Sequence, residues 1–154
     1  MNGWLLDTNV VAELGSERGS ARVISWAAQI VETQSFISVL TLGEYARGLA
    51  NLPLESRYRG QLQAFIAGVE QRFSGRTLSV ADRVVRRWGR ISGDLLRTAR
   101  RDPPVIETLL AATALEHDLY LVTRNVRDVA GTGVAVFNPW DDDPALFPLK
   151  SRRM

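Results

Sequence analysis

Short apolar runs alternate with longer segments of helical periodicity along this chain, and this alternation restricts the possible folds more than any other feature. Each apolar run is five or six residues long, the length of a buried strand, and the runs span residues 3–8, 35–39, 76–80, 119–123 and 134–139. Strands that alternate with helices are typical of an α/β domain whose sheet is mainly parallel. We therefore predict a five-stranded, mainly parallel sheet flanked by helices.

The intervening segments have apolar residues at helical spacing, and the predicted helices span residues 9–14, 21–31, 41–52, 54–73, 81–100 and 105–118. Thr8 or Asn9 is expected to cap the first helix. Thr41 is expected to cap the third, and Glu44 follows it at the spacing of a capping box. The segment 54–73 is predicted to be one long amphipathic helix.

Length and composition limit the class of protein. A chain of 154 residues with 45% hydrophobic and 23% charged residues is expected to form one globular domain. The absence of cysteine excludes disulfides and thiolate metal sites, and it fits a reducing cytoplasm. No run is long enough to span a bilayer, so no membrane contact is expected. The net charge is +2, with arginines concentrated between residues 83 and 101, which permits contact with a phosphate backbone.

Acidic and polar residues follow the predicted strands or, for Glu107, start the helix that leads into the fourth strand. These positions could meet at the edge where sites form in open parallel sheets. These residues are Asp7, Glu44, Glu107, Thr123, Asn125 and Asp128. Carboxylates that gather at one edge repel each other and stay ionised when a cation neutralises them. Oxygen ligands suit Mg²⁺ or Mn²⁺, so the pattern predicts a metal-dependent nuclease or phosphatase.

Each acid also has a purely structural interpretation. Asp7 could cap a helix or close a turn, and Glu44 could complete the capping box. Glu107 could simply favour the helix dipole, which contributes about 0.3–1 kcal/mol. Asp128 could be a loop residue. His117, the single histidine, is expected to favour the dipole at a helix C-terminus rather than to act in catalysis.

Four segments, taken together, resemble a known family: LLDTNVVAEL, TLGEYARGL, IETLLAATALEHDLYLVTRNVRD and GVAVFNPW. In this order and spacing they resemble PIN-domain proteins, and more closely the VapC toxins of type II toxin–antitoxin modules, including the FitB-like branch. The resemblance covers residues 1–139 and leaves residues 140–154 as an irregular C-terminal tail. It implies a Rossmann-like sheet with acids along one edge and a bound Mg²⁺ or Mn²⁺.

The resemblance also assigns site residues. Asp7 matches the first metal-binding aspartate and Glu44 the second acid, while Glu107 matches a third position at which the family normally has aspartate. Asn125 lies where some relatives have a fourth aspartate, and Asp128 matches the aspartate of relatives with a TRNxxD pattern. Thr8 and Thr123 match hydroxyl positions near the site. The implied metal ligands are Asp7, Glu44 and Glu107, with Asn125 and Asp128 completing the catalytic edge.

The function implied by the resemblance is that of a toxin with endoribonuclease activity, often on transfer RNA. Its implied partners are RNA, a cognate VapB- or FitA-like antitoxin and a second copy of the chain. Contact with DNA is expected only through the antitoxin. Tyr45, Leu49 and Tyr58 are the expected antitoxin-groove residues, and Arg83, Arg86, Arg87 and Arg90 either guide RNA or form a solvated helix face.

The departures at Glu107 and Asn125 leave a second interpretation open. Glutamate is one methylene longer than aspartate, and Mg²⁺ requires near-ideal octahedral geometry. The chain could therefore be a weakened or inactive PIN domain that acts by binding RNA or an antitoxin. A third interpretation is a metal-dependent nuclease that acts on structured DNA.

Overall fold

The computed structural model describes residues 1–150, which form five strands and six α-helices. The strands are β1 (Trp4–Leu6), β2 (Ser35–Ser38), β3 (Thr77–Leu78), β4 (Tyr120–Val122) and β5 (Val136–Phe137). The helices are α1 (Thr8–Leu14), α2 (Ala21–Gln29), α3 (Val39–Asn51), α4 (Arg59–Arg72), α5 (Asp82–Ala99) and α6 (Val105–His117). Short 3-10 turns span Glu32–Gln34, Val126–Val129 and Pro144–Leu146.

All the strand pairs of the sheet are parallel, and the strand order is β3-β2-β1-β4-β5. The central strand is β1, in which Leu5 pairs with Phe36 of β2 on one side and with Leu121 of β4 on the other. The predicted α/β architecture with a mainly parallel, five-stranded sheet is thus confirmed. The strands are shorter than predicted; β5, for example, pairs with β4 only over Val136–Phe137.

Successive side chains of β1 point to opposite faces of the sheet, and helices bury both faces. Trp4 and Leu6 belong to an apolar cluster with α1, α2, α3 and α4, whereas Leu5 packs with α6 on the other face. Gly3 allows β1 to approach the segment before β2, because a Cβ there would lie 2.3 Å from the carbonyl oxygen of Gln34. Burial on both faces fixes the register of β1 and hence the position of Asp7, which follows it.

The start of α3 differs from the prediction. The helix begins at Val39, and its N-cap is Ser38, whose hydroxyl accepts a hydrogen bond from the backbone N–H of Leu40 at 3.1 Å. The predicted cap, Thr41, lies inside the helix, because β2 passes into α3 without a loop. The capping-box interpretation of Glu44 is therefore wrong, since Glu44 lies six residues beyond the cap.

The predicted helix over residues 54–73 is shorter in the structure. Residues 53–58 form turns, with hydrogen bonds from Ser56 N to Pro53 O and from Arg59 N to Ser56 O. Leu54 is 81% exposed, because it lies in these turns and outside the amphipathic face. Only the part of that face within α4, together with Phe73, packs on the core.

The C-terminal tail packs back on the domain as far as the structure describes it. The Phe147 ring lies 4.8 Å from that of Phe137 and 5.3 Å from that of Tyr120, and Lys150 N donates to Met1 O. The tail is irregular apart from one 3-10 turn, and it belongs to the same apolar cluster as the sheet. Residues 151–154 of the predicted tail lie outside the described residues.

None of the helices in residues 1–150 is both long enough and apolar enough to cross a bilayer.

Candidate active site

Asp7 lies where the central strand ends, and it is the most buried acid of the candidate site. Its carboxylate caps α1 by accepting from the backbone N–H of Thr8 at 2.6 Å. It also accepts from the Thr123 hydroxyl at 2.6 Å and from the Asn9 amide at 3.1 Å. Only 6% of Asp7 is exposed. The structural interpretation of Asp7 as a helix cap is thus correct, and it is compatible with a role in the site.

Burial raises the pKa of the Asp7 carboxyl above its ordinary value of 3.8. The hydrogen bonds from Thr123, Thr8 and Asn9 act in the opposite direction, and the nearby charge of Glu44 raises the pKa further. Desolvation is the largest of these effects. A carboxylate in this environment is stabilised by a nearby cation, which would offset both the desolvation and the repulsion from Glu44.

Glu44 extends from α3 toward the start of α1. Its carboxylate accepts a hydrogen bond from the Thr8 hydroxyl. The hydroxyl oxygens of Thr8 and Thr41 lie 3.1 Å apart, so Thr41, which is fully buried, supports this contact from within α3. The Tyr45 hydroxyl donates to the carbonyl oxygen of Thr8 at 3.4 Å. Helices α1 and α3 are therefore joined by polar side chains directly beside Asp7.

Thr123 joins the segment after β4 to the same group of residues. It is 1% exposed; besides donating to Asp7, its hydroxyl accepts from the Asn9 amide at 3.2 Å and from the backbone N–H of Asn125 at 2.9 Å. The Asn125 side chain itself is exposed. Of the residues predicted for the site, the structure therefore brings together Asp7, Thr8, Glu44 and Thr123, with Asn125 attached through its backbone.

Glu107 and Asp128 lie outside this hydrogen-bonded group. Glu107 is in the first turn of α6, where the helix dipole favours an acid, and Asp128 is in the 3-10 turn Val126–Val129. Both are half-buried, and neither side chain makes a hydrogen bond within the described residues. Within residues 1–150, no three acidic or histidine side chains come close enough together to hold one ion.

The donor set at Asp7 and Glu44 fits a hard divalent cation. Mg²⁺ usually binds to proteins through one or two carboxylates and keeps several waters. Two carboxylates of this kind lie close together here, and the charge of Glu44 contributes to the raised pKa of Asp7. Asp7 and Glu44 would hold such an ion directly, and Glu107 is the expected third ligand.

Comparison with known proteins decides the family. The sequence model of the PIN-domain family matches residues 4–130, which is most of the chain. The chain belongs to the PIN-domain family. It is 30% identical to Toxin FitB of Neisseria gonorrhoeae over 90% of this chain and 99% of that protein. It is 32% identical to VapC ribonuclease Y4jK of Sinorhizobium fredii over 89% of this chain and 97% of that protein.

Solved structures agree with this assignment. The structure of FitAcB from Neisseria gonorrhoeae has a TM-score of 0.79 at 29% identity and covers 89% of this PIN domain and 98% of that chain. A structure of FitAB bound to an IR36 DNA fragment has a TM-score of 0.80 at 26% identity, with 91% and 97% of the two chains covered. The resemblance to VapC toxins and to their FitB-like branch is therefore confirmed.

Two site residues of this PIN domain were missed at the sequence level. The sequence predicts Asn9 only as a helix cap, yet its amide bridges Asp7 and Thr123. It predicts Thr41 only as the cap of α3, yet its hydroxyl lies beside that of Thr8. The sequence did contain a signal for Asn9. An asparagine two residues after a strand-ending aspartate lies in the first helical turn, close enough to return a hydrogen bond.

The predicted antitoxin-groove residues of the PIN domain have different environments. Tyr45 is 8% exposed and packs edge-on against Phe65, with ring centroids 5.3 Å apart. Leu49 is half-buried in α3, whereas Tyr58 is 51% exposed and precedes α4. A separate apolar cavity of about 260 Å³ lies between α1 and α4, and none of the three lines it. Tyr45 is thus a buried residue beneath the predicted antitoxin groove, whereas Leu49 and Tyr58 lie at its surface.

Four arginines of α5 are candidates for contact with the RNA backbone: Arg83, Arg86, Arg87 and Arg90. Of these, Arg83, Arg86 and Arg87 are paired with acids of the PIN domain. Arg83 and Arg87, both on α5, contact Glu116 of α6 at 2.7 and 3.0 Å. These guanidinium groups hold the pKa of Glu116 below its ordinary value, Arg87 chiefly through its hydrogen bond. Arg86 pairs with Asp82 at 2.9 Å. Arg83 and Arg87 join two helices, so their charges are partly neutralised within the domain.

Proposed function

We propose that this PIN domain is the toxin of a type II toxin–antitoxin module and acts as a divalent-metal-dependent endoribonuclease, with transfer RNA as its substrate. The observation that best supports this is the buried Asp7 carboxylate, which Thr8, Asn9 and Thr123 orient next to Glu44. A relative that is 32% identical over nearly its whole length is named a VapC ribonuclease.

The side chains around Asp7 fix the position of the acids. Thr123 and Asn9 bind the same carboxylate oxygen of Asp7, and Thr8 binds Glu44, so both acids are oriented before any ligand arrives. Asp7 and Glu44 would hold a Mg²⁺ or Mn²⁺ ion directly, Glu107 would become its third ligand by approaching them, and Asp128 and Asn125 would complete the edge that faces the phosphate. A bound divalent cation supplies an acidic water and neutralises charge on the phosphodiester.

We further propose that the chain pairs with a cognate VapB- or FitA-like antitoxin and with a second copy of itself. Structures of relatives are described as FitAB bound to a DNA fragment and as DNA-bound VapBC from Salmonella typhimurium. The proposed antitoxin site is the surface around Leu49 and Tyr58, which Tyr45 supports. DNA contact is proposed to occur only through the antitoxin.

A weakened or inactive domain that binds RNA or an antitoxin is the second candidate. It is favoured by the positions of Glu107 and Asp128, neither of which shares a hydrogen bond with the group around Asp7 within the described residues. A domain of this kind would bind RNA without metal-dependent cleavage.

The decisive experiment uses the purified chain, free of any partner, with total transfer RNA in the presence of Mn²⁺, Mg²⁺ or a chelator. Single-stranded RNA and flap DNA serve as competing substrates. Wild type is compared with Asp7→Asn and Glu107→Asp. We expect cleavage of transfer RNA that needs metal and that falls at least about a hundredfold in Asp7→Asn. Cleavage at the normal rate in Asp7→Asn would overturn the proposed mechanism.

Activity that appears only in Glu107→Asp would favour the second candidate, because the scaffold would then be competent and the third acid would be the defect. Cleavage of flap DNA in preference to both RNAs would instead assign the domain to nucleases that act on structured DNA.

A further inference from the structure

Arg124 directly follows Thr123 and is fixed close to the acids of the proposed active site. Thr123 donates to Asp7, and the backbone N–H of Arg124 donates to the Asn9 side chain at 3.4 Å, while Asn9 itself donates to Asp7. The backbone of Arg124 is thus linked to Asp7 both through the preceding residue, Thr123, and through the Asn9 side chain. Its side chain is exposed.

The Arg124 guanidinium lies over the Trp140 ring, 5.2 Å from the ring centroid. Within residues 1–150 it has no carboxylate at ion-pair distance, unlike Arg83, Arg86 and Arg87. An aromatic face attracts a guanidinium but leaves its N–H groups at the edge free to donate. Arg124 is therefore a positioned cation whose hydrogen-bonding capacity is not used by any acid among residues 1–150.

The acids nearest in sequence to Trp140 are occupied by Asn138. Asp142 accepts from the backbone N–H of Asn138 at 2.7 Å, and Asp141 accepts from its side-chain amide at 2.9 Å. The side-chain oxygen of Asn138 in turn accepts from the backbone N–H of Trp140 at 3.1 Å. Asn138 is 7% exposed. Its hydrogen bonds fix the backbone of Trp140 and occupy the carboxylates of Asp141 and Asp142.

An open cavity of about 410 Å³ lies beside Arg124. Its lining includes Arg124, Asn125, Arg127, Asp128, Asn138 and Asp141. The Asp141 carboxylate accepts from the Asn138 amide, and the volume is within the range of small-molecule sites. Two of these residues, Asn125 and Asp128, are members of the proposed catalytic edge. A nucleotide in this cavity would therefore adjoin the position of the scissile phosphodiester.

We infer that Arg124, held by Trp140, binds a backbone phosphate of the RNA strand next to the cleaved bond. This inference rests on the proposed ribonuclease function. A strand that approaches Asp7 and Glu44 is repelled by their charges, and a nearby cation that no acid among residues 1–150 neutralises offsets that repulsion. Arg124 is thus a substrate-binding residue, and Trp140 is a positioning residue that orients it.

The test measures binding of a fluorescein-labelled single-stranded RNA of about 12 nucleotides, a length that spans one such site. Asp7→Asn protein is used so that the RNA stays intact, with Mg²⁺ present. Arg124→Ala, Arg124→Lys and Arg18→Ala are each added to this background. Arg18→Ala is the matched control, since it also removes one exposed arginine. Arg18 lies between α1 and α2, after the C-terminal end of α1, whereas Asp7 caps the N-terminal end of that helix. Thermal unfolding verifies that each variant is folded.

We expect Arg124→Ala to raise Kd about tenfold and to reduce the slope of log K against log salt by about 0.7, the value for one phosphate contact on a single strand. Arg124→Lys should keep the slope and show a smaller rise in Kd, because it retains the charge but not the planar group. Arg18→Ala should stay within about twofold of the parent.

Equal Kd values and salt slopes for Arg124→Ala and Arg18→Ala would overturn the inference, even if wild type cleaves RNA. A selective effect of Arg124→Ala without cleavage in any metal would support the binding of an RNA phosphate by Arg124, and it would contradict the proposed activity and the position next to a cleaved bond. The absence of RNA binding by the parent protein would overturn both.

Discussion

The two halves of the proposed active site are built differently. In the half formed by β1, α1 and α3, each acid has a defined hydrogen-bond partner: Asp7 accepts from three groups and Glu44 accepts from Thr8. In the half formed by α6 and the 3-10 turn Val126–Val129, Glu107 and Asp128 are half-buried, and their side chains make no hydrogen bond within residues 1–150.

The difference follows from where each half lies in the fold. Asp7 continues the central strand, which has parallel neighbours on both sides and buried faces. The turn that contains Asp128 is instead held through backbone carbonyls by Arg101, which donates to Ala130 O at 2.6 Å and to Arg127 O at 3.4 Å. Packing and hydrogen bonds therefore orient the acids of the first half, whereas no hydrogen bond within residues 1–150 fixes the carboxylates of Glu107 and Asp128.

The largest effect that separates the halves is expected at Glu107. Glu107→Gln should lower metal-dependent cleavage by about ten- to a hundredfold, because it removes a ligand charge. It should lower the free energy of unfolding by no more than about 1 kcal/mol, the contribution of the helix dipole, because the side chain has no hydrogen bond to lose. Initial cleavage rates in Mn²⁺ and urea unfolding in chelator measure the two effects.

Glu107→Asp is the control for that experiment, since it preserves the charge and shortens the side chain. It should retain activity within about tenfold of wild type, because a shift in ligand position costs less than the loss of a charge. If Glu107→Gln loses stability and keeps its activity, Glu107 serves the helix dipole alone and the second half of the site does not include it.

Thr123 is the residue whose loss should most disturb the preorganised half. Thr123→Ala leaves Asp7, Asn9 and the Asn125 backbone N–H without their shared partner, and it should lower the free energy of unfolding by about 1–3 kcal/mol. Thr123→Ser keeps the hydroxyl and should lose less than half of that. Urea unfolding of both variants makes the measurement, and equal losses would mean that the methyl group, rather than the hydroxyl, matters.

The order of elements and the position of the first acid could be predicted from the sequence because they depend on short-range patterns. Buried strands of Val, Leu and Ile are distinct from helices of longer period, and an acid that closes a strand can be recognised without knowing its neighbours. Helix starts were less reliable. Ser38 and Thr41 are both good capping residues, and only the direct passage of β2 into α3 selects Ser38.

Contacts between distant segments could not be predicted in the same way. The pairing of Thr8 with Glu44 and of Arg83 with Glu116 depends on how helices pack, and a charge pattern along one helix does not reveal its partner on another. The same applies to Arg124 and Trp140, which are separated by the whole of β5. The sequence identified residues capable of the chemistry, whereas the packing determines which of them meet.

The smallest effect expected in the preorganised half is a change in the pH dependence of stability at Asp7. Because the pKa of Asp7 is raised in the folded protein, the folded state keeps a proton that the unfolded chain has already lost. The free energy of unfolding of the metal-free protein should therefore fall as the pH rises from 3.8 through the raised pKa and then stay level. Asp7→Asn cannot lose this proton and can still cap α1.

Asp7→Asn should consequently be more stable than wild type at pH 7 in chelator, and the difference should shrink toward pH 3.8. Urea unfolding across this pH range measures it. A difference that is independent of pH would mean that the carboxylate has no cost in the folded state. Excess Mn²⁺ should reverse the order at pH 7, because only wild type gains stability by binding the ion. Such a reversal would show that metal binding offsets the cost of burying the ionised Asp7 carboxylate.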